Sequence, residues 1–209
     1  MSRSLDFTLV GDGSSDRVLL HPIRWLLCDL GWTVTADHWA DFSVLPEQPK
    51  GLPNRILAAA RLFPARVLVV HRDAERESRA ARVREIRAAL ARLAGVAMPA
   101  VCVVPVRMTE AWLLVDEAAV RQAAGNPNGQ RPLAMPPIGQ LESLPNPKAC
   151  LHDLLEDACG LPARRRGRLN AGKAVQRVGE LIHDYAPLRR LPAFQAFEEE
   201  LVRVLAGLG

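Results

Sequence analysis

Carboxylates recur just past the ends of three apolar segments, and that placement raises the first question about chemistry. FTLVGDGSSD carries Asp12 and Asp16, VLVVHRDAE carries His71, Asp73 and Glu75, and VVPVRMTEAWLL carries Glu110. Acidic side chains repel one another, so gathering them at one edge is costly unless a cation offsets the charge. A divalent metal site is the natural inference, and oxygen ligands without a Cys/His set favour Mg²⁺ or Mn²⁺ over zinc. Taken singly, each acid has an ordinary explanation: Asp12 as a helix cap, Asp16 as a complement to the helix dipole, Asp73 and Glu75 as caps of the next helix. Their coincidence at successive segment ends favours a joint site. His71 is open between a metal ligand, a proton carrier beside Asp73 and a simple hydrogen-bond partner. Gly11 and Gly13 suggest a phosphate cradle, but the third glycine of a dinucleotide fingerprint and the lysine of a P-loop are missing. Gly13 instead permits a turn that aims Asp12 inward.

These residues need strands and helices to position them. Asp6 to Val10 is expected to be a strand, followed by a bent helix from Ser15 to Leu30 with Pro22 at the bend. WTVTADHWADFSV reads as a strand or hairpin, NRILAAARLF as a helix opened by Asn54, and ARVLVVH as a strand buried on both faces. A helix from Ser78 to Ala94, a strand in MPAVCVVPV and a helix from Thr109 to Gly125 follow, with Trp112 in the core. Such alternation implies an α/β fold with a mostly parallel, doubly wound sheet. Its functional crevice lies beyond the carboxyl ends of the strands, where strand order reverses.

Residues 126–147 hold six prolines and little periodicity, which marks an ordered loop or insertion. Three helices are expected beyond it. The expected organisation is an α/β domain over 1–125, the proline-rich insertion over 126–147 and a helical part over 148–209 packed on the same domain.

The 209 residues, 49% hydrophobic and 24% charged, are enough for one large domain with a full core. The first residues lack the apolar run of a signal peptide, and the longest apolar stretch is too short and proline-interrupted to span a bilayer. A cytoplasmic location without membrane contact is expected. The four cysteines, Cys28, Cys102, Cys150 and Cys159, are widely spaced and indicate neither a zinc site nor a disulfide framework. The net charge of +4 permits nucleic-acid binding without requiring it.

Taken together, DGSSD, VLVVHRDAE and PVRMTEAWLLVD resemble a Toprim-type domain, in the branch of Toprim-like proteins related to the OLD-family nucleases. Toprim domains pair a glutamate with a glycine after the first strand and carry a D-x-D pattern after a later one. Here Asp12-Gly13 and Asp73-Ala74-Glu75 occupy those places, with Asp for the usual Glu and Glu for the second Asp, and Asp16 matches a second acid common in this branch. EAWLL, NPK and LPAF extend the similarity over nearly the whole chain.

The resemblance implies that Asp12, Asp16, Asp73 and Glu75 hold one or two Mg²⁺ ions that orient a phosphodiester and activate water. Glu110 completes the shell or acts as base, and Lys148 or Lys173 neutralises charge in the transition state. DNA or RNA would be the substrate, with Arg164, Arg165, Arg166 and Arg168 as phosphate contacts, because four arginines within five residues repel one another without an anionic partner. The arginines after the D-x-D element, Arg76 to Arg92, read as a solvated helix face. The resemblance also implies defence against foreign DNA, as in anti-phage systems. Any ATPase would be a separate partner, since the chain has no P-loop motif, and a homodimer is compatible with such a domain. The alternative is a non-catalytic protein that binds a metal or nucleotide in the same pocket. A phosphatase of another doubly wound family, with an aspartyl nucleophile, is more remote.

Overall fold

The computed structural model describes residues 3–93, 98–160 and 170–208. Four strands, β1 (Arg3–Val10), β2 (Trp32–Trp39), β3 (Val67–His71) and β4 (Ala100–Val103), form one sheet in the order β2-β1-β3-β4. Every neighbouring pair is parallel. The chain winds outward from β1 to β2, returns past β1 to β3, and continues to β4. Strand order therefore reverses between β1 and β3, and their carboxyl ends frame the crevice of a doubly wound α/β fold.

The apolar runs of β1 and β3 do not alternate with polar residues because both sheet faces are covered. Side chains in a strand point to opposite faces in turn. Val67 and Val69 accordingly enter one core with Phe7 and Leu9, whereas Leu68 and Val70 enter a second with Val10 and Cys102. The first core includes helices α1 (Leu20–Asp29), α5 (Pro147–Ala158), α6 (Ala171–Leu181) and α7 (Pro192–Ala206). The second is closed by α2 (Leu52–Leu62) and α3 (Arg79–Ala91). Helix α4 (Glu117–Ala123) and the proline-rich segment also lie against the first core. Leu141 is fully buried there, and Glu142 accepts the Ala193 N–H at 2.9 Å.

Several local expectations change. The bent helix is a 3-10 turn, Ser14–Leu19, followed by α1, and Pro22 sits in the first turn of α1, where its missing N–H costs nothing. Trp32–Trp39 is a single parallel strand and not a hairpin. Helix α2 opens at Leu52 rather than Asn54, whose side chain instead donates to the Lys50 carbonyl. Thr109–Gly125 is not one helix: a 3-10 turn, Thr109–Leu113, is separated from α4, for which Asp116 is the N-cap. Helix α3 begins after Ser78, whose hydroxyl accepts the Ala81 N–H, and ends at Ala91. Among the described residues no helix is long and apolar enough to cross a membrane.

One charged contact fastens α7 to the edge of the sheet. Glu200, buried, accepts the Cys102 N–H of β4 at 2.8 Å and pairs with Arg87 of α3. A buried donor left without its acceptor costs more than the net value of the bond. Glu200→Ala should therefore lower unfolding free energy by about 2–4 kcal/mol in urea denaturation, whereas Glu200→Gln, which keeps an acceptor for Cys102, should lose about half as much.

Candidate functional site

Asp16 forms the floor of the crevice. Its Oδ2 accepts the Asp12 and Gly13 N–H groups at 2.9 and 3.0 Å, and its Oδ1 accepts the Ser15 hydroxyl at 3.2 Å. These donors hold a carboxylate that is only 6% exposed. Gly11 makes room for it: a Cβ there would sit 2.7 Å from Oδ2 and 3.2 Å from the Trp39 ring. The glycine the loop requires is thus Gly11. Gly13 is extended, at φ −136°, and a Cβ on it would meet only the Ser15 hydroxyl, at 3.7 Å.

His71, at the end of β3 and 1% exposed, faces this carboxylate. Its Nδ1 lies 3.0 Å from the Val103 carbonyl, which can only accept, so Nδ1 carries a proton and donates. Its Nε2 is ringed by oxygens: Thr109 Oγ1 at 3.3 Å, Asp73 Oδ1 at 3.5 Å and Asp16 Oδ2 at 3.8 Å. Thr109 also donates to Asp73 Oδ1 at 3.2 Å. Three strand ends thus converge: Asp16 after β1, His71 and Asp73 at and after β3, and Thr109 after β4. Glu110, buried on the Thr109–Leu113 turn, adds negative potential at Asp73. Burial above all, helped by Asp16 and Glu110 and opposed by His71 and the Thr109 hydrogen bond, pushes the Asp73 carboxyl up to about 6.

Asp12 and Glu75 do not join this group, contrary to expectation. Asp12 is turned outward, 49% exposed, with Oδ2 3.1 Å from Arg72 Nε and Oδ1 accepting a long hydrogen bond from Arg72 Nη1 at 3.4 Å. Glu75, 65% exposed, lies 3.6 Å from Arg82. Glu85 of α3 bridges the two arginines, at 3.5 Å from Arg72 and 2.9 Å from Arg82. The chain Asp12–Arg72–Glu85–Arg82–Glu75 offsets these acids with arginine cations. Among the described residues, no three His, Cys, Asp or Glu side chains are grouped so as to hold a metal ion. The donor chemistry agrees, because Asp16 is occupied by N–H and O–H donors and Asp12 and Glu75 by guanidinium groups. The set expected for Mg²⁺ or Mn²⁺ does not fit an ion in this arrangement.

Comparison with protein-family models, curated proteins and solved structures found no match. The remaining expected residues fall in different places. Lys173 lines a cleft together with Ser14 and Arg17, beside the loop that Asp16 holds. Lys148, in the first turn of α5, is exposed. Arg164, Arg165, Arg166 and Arg168 lie outside the described residues. Sequence reasoning missed Thr109, taken for a helix cap although Met108 holds that position, and also Arg72 and Glu85. The alternating charges of HRDAE were the one available sign of Arg72.

Two outcomes test this geometry. Gly11→Ala should displace the Asp16 carboxylate and cost about 1–3 kcal/mol of stability, since the atom it meets is held by two N–H groups and cannot swing away. A raised Asp73 carboxyl means that the folded chain binds this proton more tightly than the unfolded chain. Its stabilisation is complete below the ordinary value of 3.8 and is lost as pH rises through about 6. Unfolding free energy in metal-free buffer should fall by roughly 1–3 kcal/mol over that window, and Asp73→Asn should flatten this part of the profile.

Proposed function

We propose that this chain is a phosphodiester-cleaving protein of the Toprim-like kind, a nuclease acting on DNA or RNA, with Asp73 as the proton acceptor at the β1/β3 switch point. The observation that carries the proposal is the two-ended anchoring of His71. Val103 holds one ring nitrogen while the other faces Asp73, Asp16 and Thr109. A carboxyl poised near 6 is ionised at neutral pH yet basic enough to take a proton from water. His71 is too deeply buried to touch substrate and acts as a positioning residue, orienting Asp73 with Thr109. Asp73, at 27% exposure, opens toward solvent and can reach an attacking water. Mg²⁺ or Mn²⁺ belongs to this proposal through the resemblance alone, and a cation shared by Asp12 and Asp73 would require Asp12 to leave Arg72. A role in anti-phage defence beside a separate ATPase goes with the same reading.

A second reading, a non-catalytic protein that binds a metal or a nucleotide, is favoured by the Asp12–Arg72 pair. An acid already offset by a fixed cation draws less on a metal. Incubation with plasmid, single-stranded DNA and RNA in Mg²⁺, Mn²⁺ or EDTA separates the two. Cleavage should appear with a divalent cation, fall at least ~100-fold in Asp73→Asn, and decline about tenfold per pH unit below about 6 as the base is protonated. Cleavage that persists in Asp73→Asn would remove Asp73 from the site. Metal binding without cleavage would support the second reading.

A further inference from the structure

We infer that the carboxyl edge of the sheet is a groove for single-stranded nucleic acid, with Arg17 and Lys173 on one flank of Asp73 and Arg76 and Arg107 on the other. The inference rests on the nucleic-acid part of the proposed function and adds the strandedness of the substrate and its contacts.

On the β2/β1 flank lies a cleft of ≈ 860 Å³ between the Ser14–Leu19 turn, the end of β2 and α6. Two of its cations are already engaged, Arg24 with Asp37 at 2.7 Å and Arg177 with Glu180 at 2.7 Å. A third acid, Asp41, is taken up by the N–H and hydroxyl of Ser43. Arg17 and Lys173 are exposed on the walls, and among the described residues neither side chain has an ion pair or hydrogen bond. Two unpaired cations in a cleft whose acids are satisfied suit successive phosphates. Trp39, half-buried and packed against the core, lines the same wall.

On the β3/β4 flank, a second cleft of ≈ 460 Å³ is lined by Arg76, Arg82 and Arg107 together with the acids Glu75 and Glu77, so three cations face two carboxylates. Arg82 is held by Glu85 and Glu75, whereas Arg76 is exposed and unpaired among the described residues. Arg107 and Glu75 both have left-handed backbones, φ 68° and 53°, which residues with a Cβ adopt at a cost. The Glu75 N–H donates to the Arg107 carbonyl at 2.9 Å and the Arg107 guanidinium donates back to the Glu75 carbonyl at 3.5 Å, a long bond that holds the cation at the rim and leaves its other N–H groups for a phosphate.

Asp73 lies between the flanks, with Asp16, His71 and Glu110 recessed beneath. A duplex is stiff and carries its phosphates on a convex surface, with a persistence length of about 150 base pairs, so it bridges such a recess. A single strand bends into it and presents free bases.

Fluorescence anisotropy with a labelled oligodeoxynucleotide, free or annealed to its complement, tests this in EDTA, so that binding is read without cleavage. The single strand should bind at least about tenfold tighter than the duplex, with a salt slope that falls by roughly 0.7 for each cation removed. Arg17→Glu with Lys173→Glu, and separately Arg76→Glu with Arg107→Gly, should each weaken binding about tenfold or more, while Arg203→Glu on α7 leaves it unchanged. Arg107→Gly removes the cation while relieving its backbone, so a loss of binding there is not a loss of fold. Equal affinity for the duplex, or unchanged affinity after the Arg17 and Lys173 substitutions, overturns the groove. Groove-dependent binding without cleavage overturns only the catalytic proposal. Cleavage at full rate in the Arg17→Glu/Lys173→Glu protein overturns only the groove.

Discussion

A carboxylate taken out of water must be surrounded by donors, and the burial of Asp16 at the β1/β3 switch point sets most of the arrangement around it. Its oxygens recruit the N–H groups of Asp12 and Gly13 and thereby fix the path of the loop after β1. That path leaves no space for a side chain at Gly11 and turns Asp12 away from the crevice toward Arg72. It also sets one oxygen 3.8 Å from His71, so the histidine is confined between Val103 on one side and acidic groups on the other. Asp73 is then left as the acid that opens toward solvent, with its proton held more tightly than usual.

The electrostatics divide into two systems with different work. The buried one, Asp16, His71, Asp73 and Glu110, sits in a medium where charge is costly, and burial there raises the proton affinity of Asp73. The exposed one, running from Asp12 through Arg72, Glu85 and Arg82 to Glu75, is a surface network whose pairs are individually weak. Its value is geometric: it ties the loop after β1 to the one after β3 and to α3.

Much of the architecture was legible because it follows from burial. The unbroken apolar run of VLVVH is diagnostic of a strand covered on both faces, and the alternation of strands and helices implied the parallel, doubly wound sheet. Helix boundaries were less legible where a short polar or acidic residue could serve two ways. Asn54 looked like a cap and instead bonds Lys50, whereas Asp116, inside an apparently continuous helix, is a cap. Thr109 looked like the cap of a long helix, whereas it opens a short 3-10 turn after Met108 and its hydroxyl is spent on Asp73. Such choices depend on which partner lies within reach, and spacing along the chain does not report that.

By itself, the sequence determined that acids and a histidine are delivered to the carboxyl edge of a mostly parallel sheet, because buried strands alternating with helices follow from the apolar pattern. Tertiary structure decided which of them meet. Asp12 and Asp16 are four residues apart on one loop, yet one faces an arginine in solvent and the other is buried against His71. The physical reason is that a buried carboxylate needs several donors at once, and only the folded loop supplies them, from backbone N–H groups that every sequence shares.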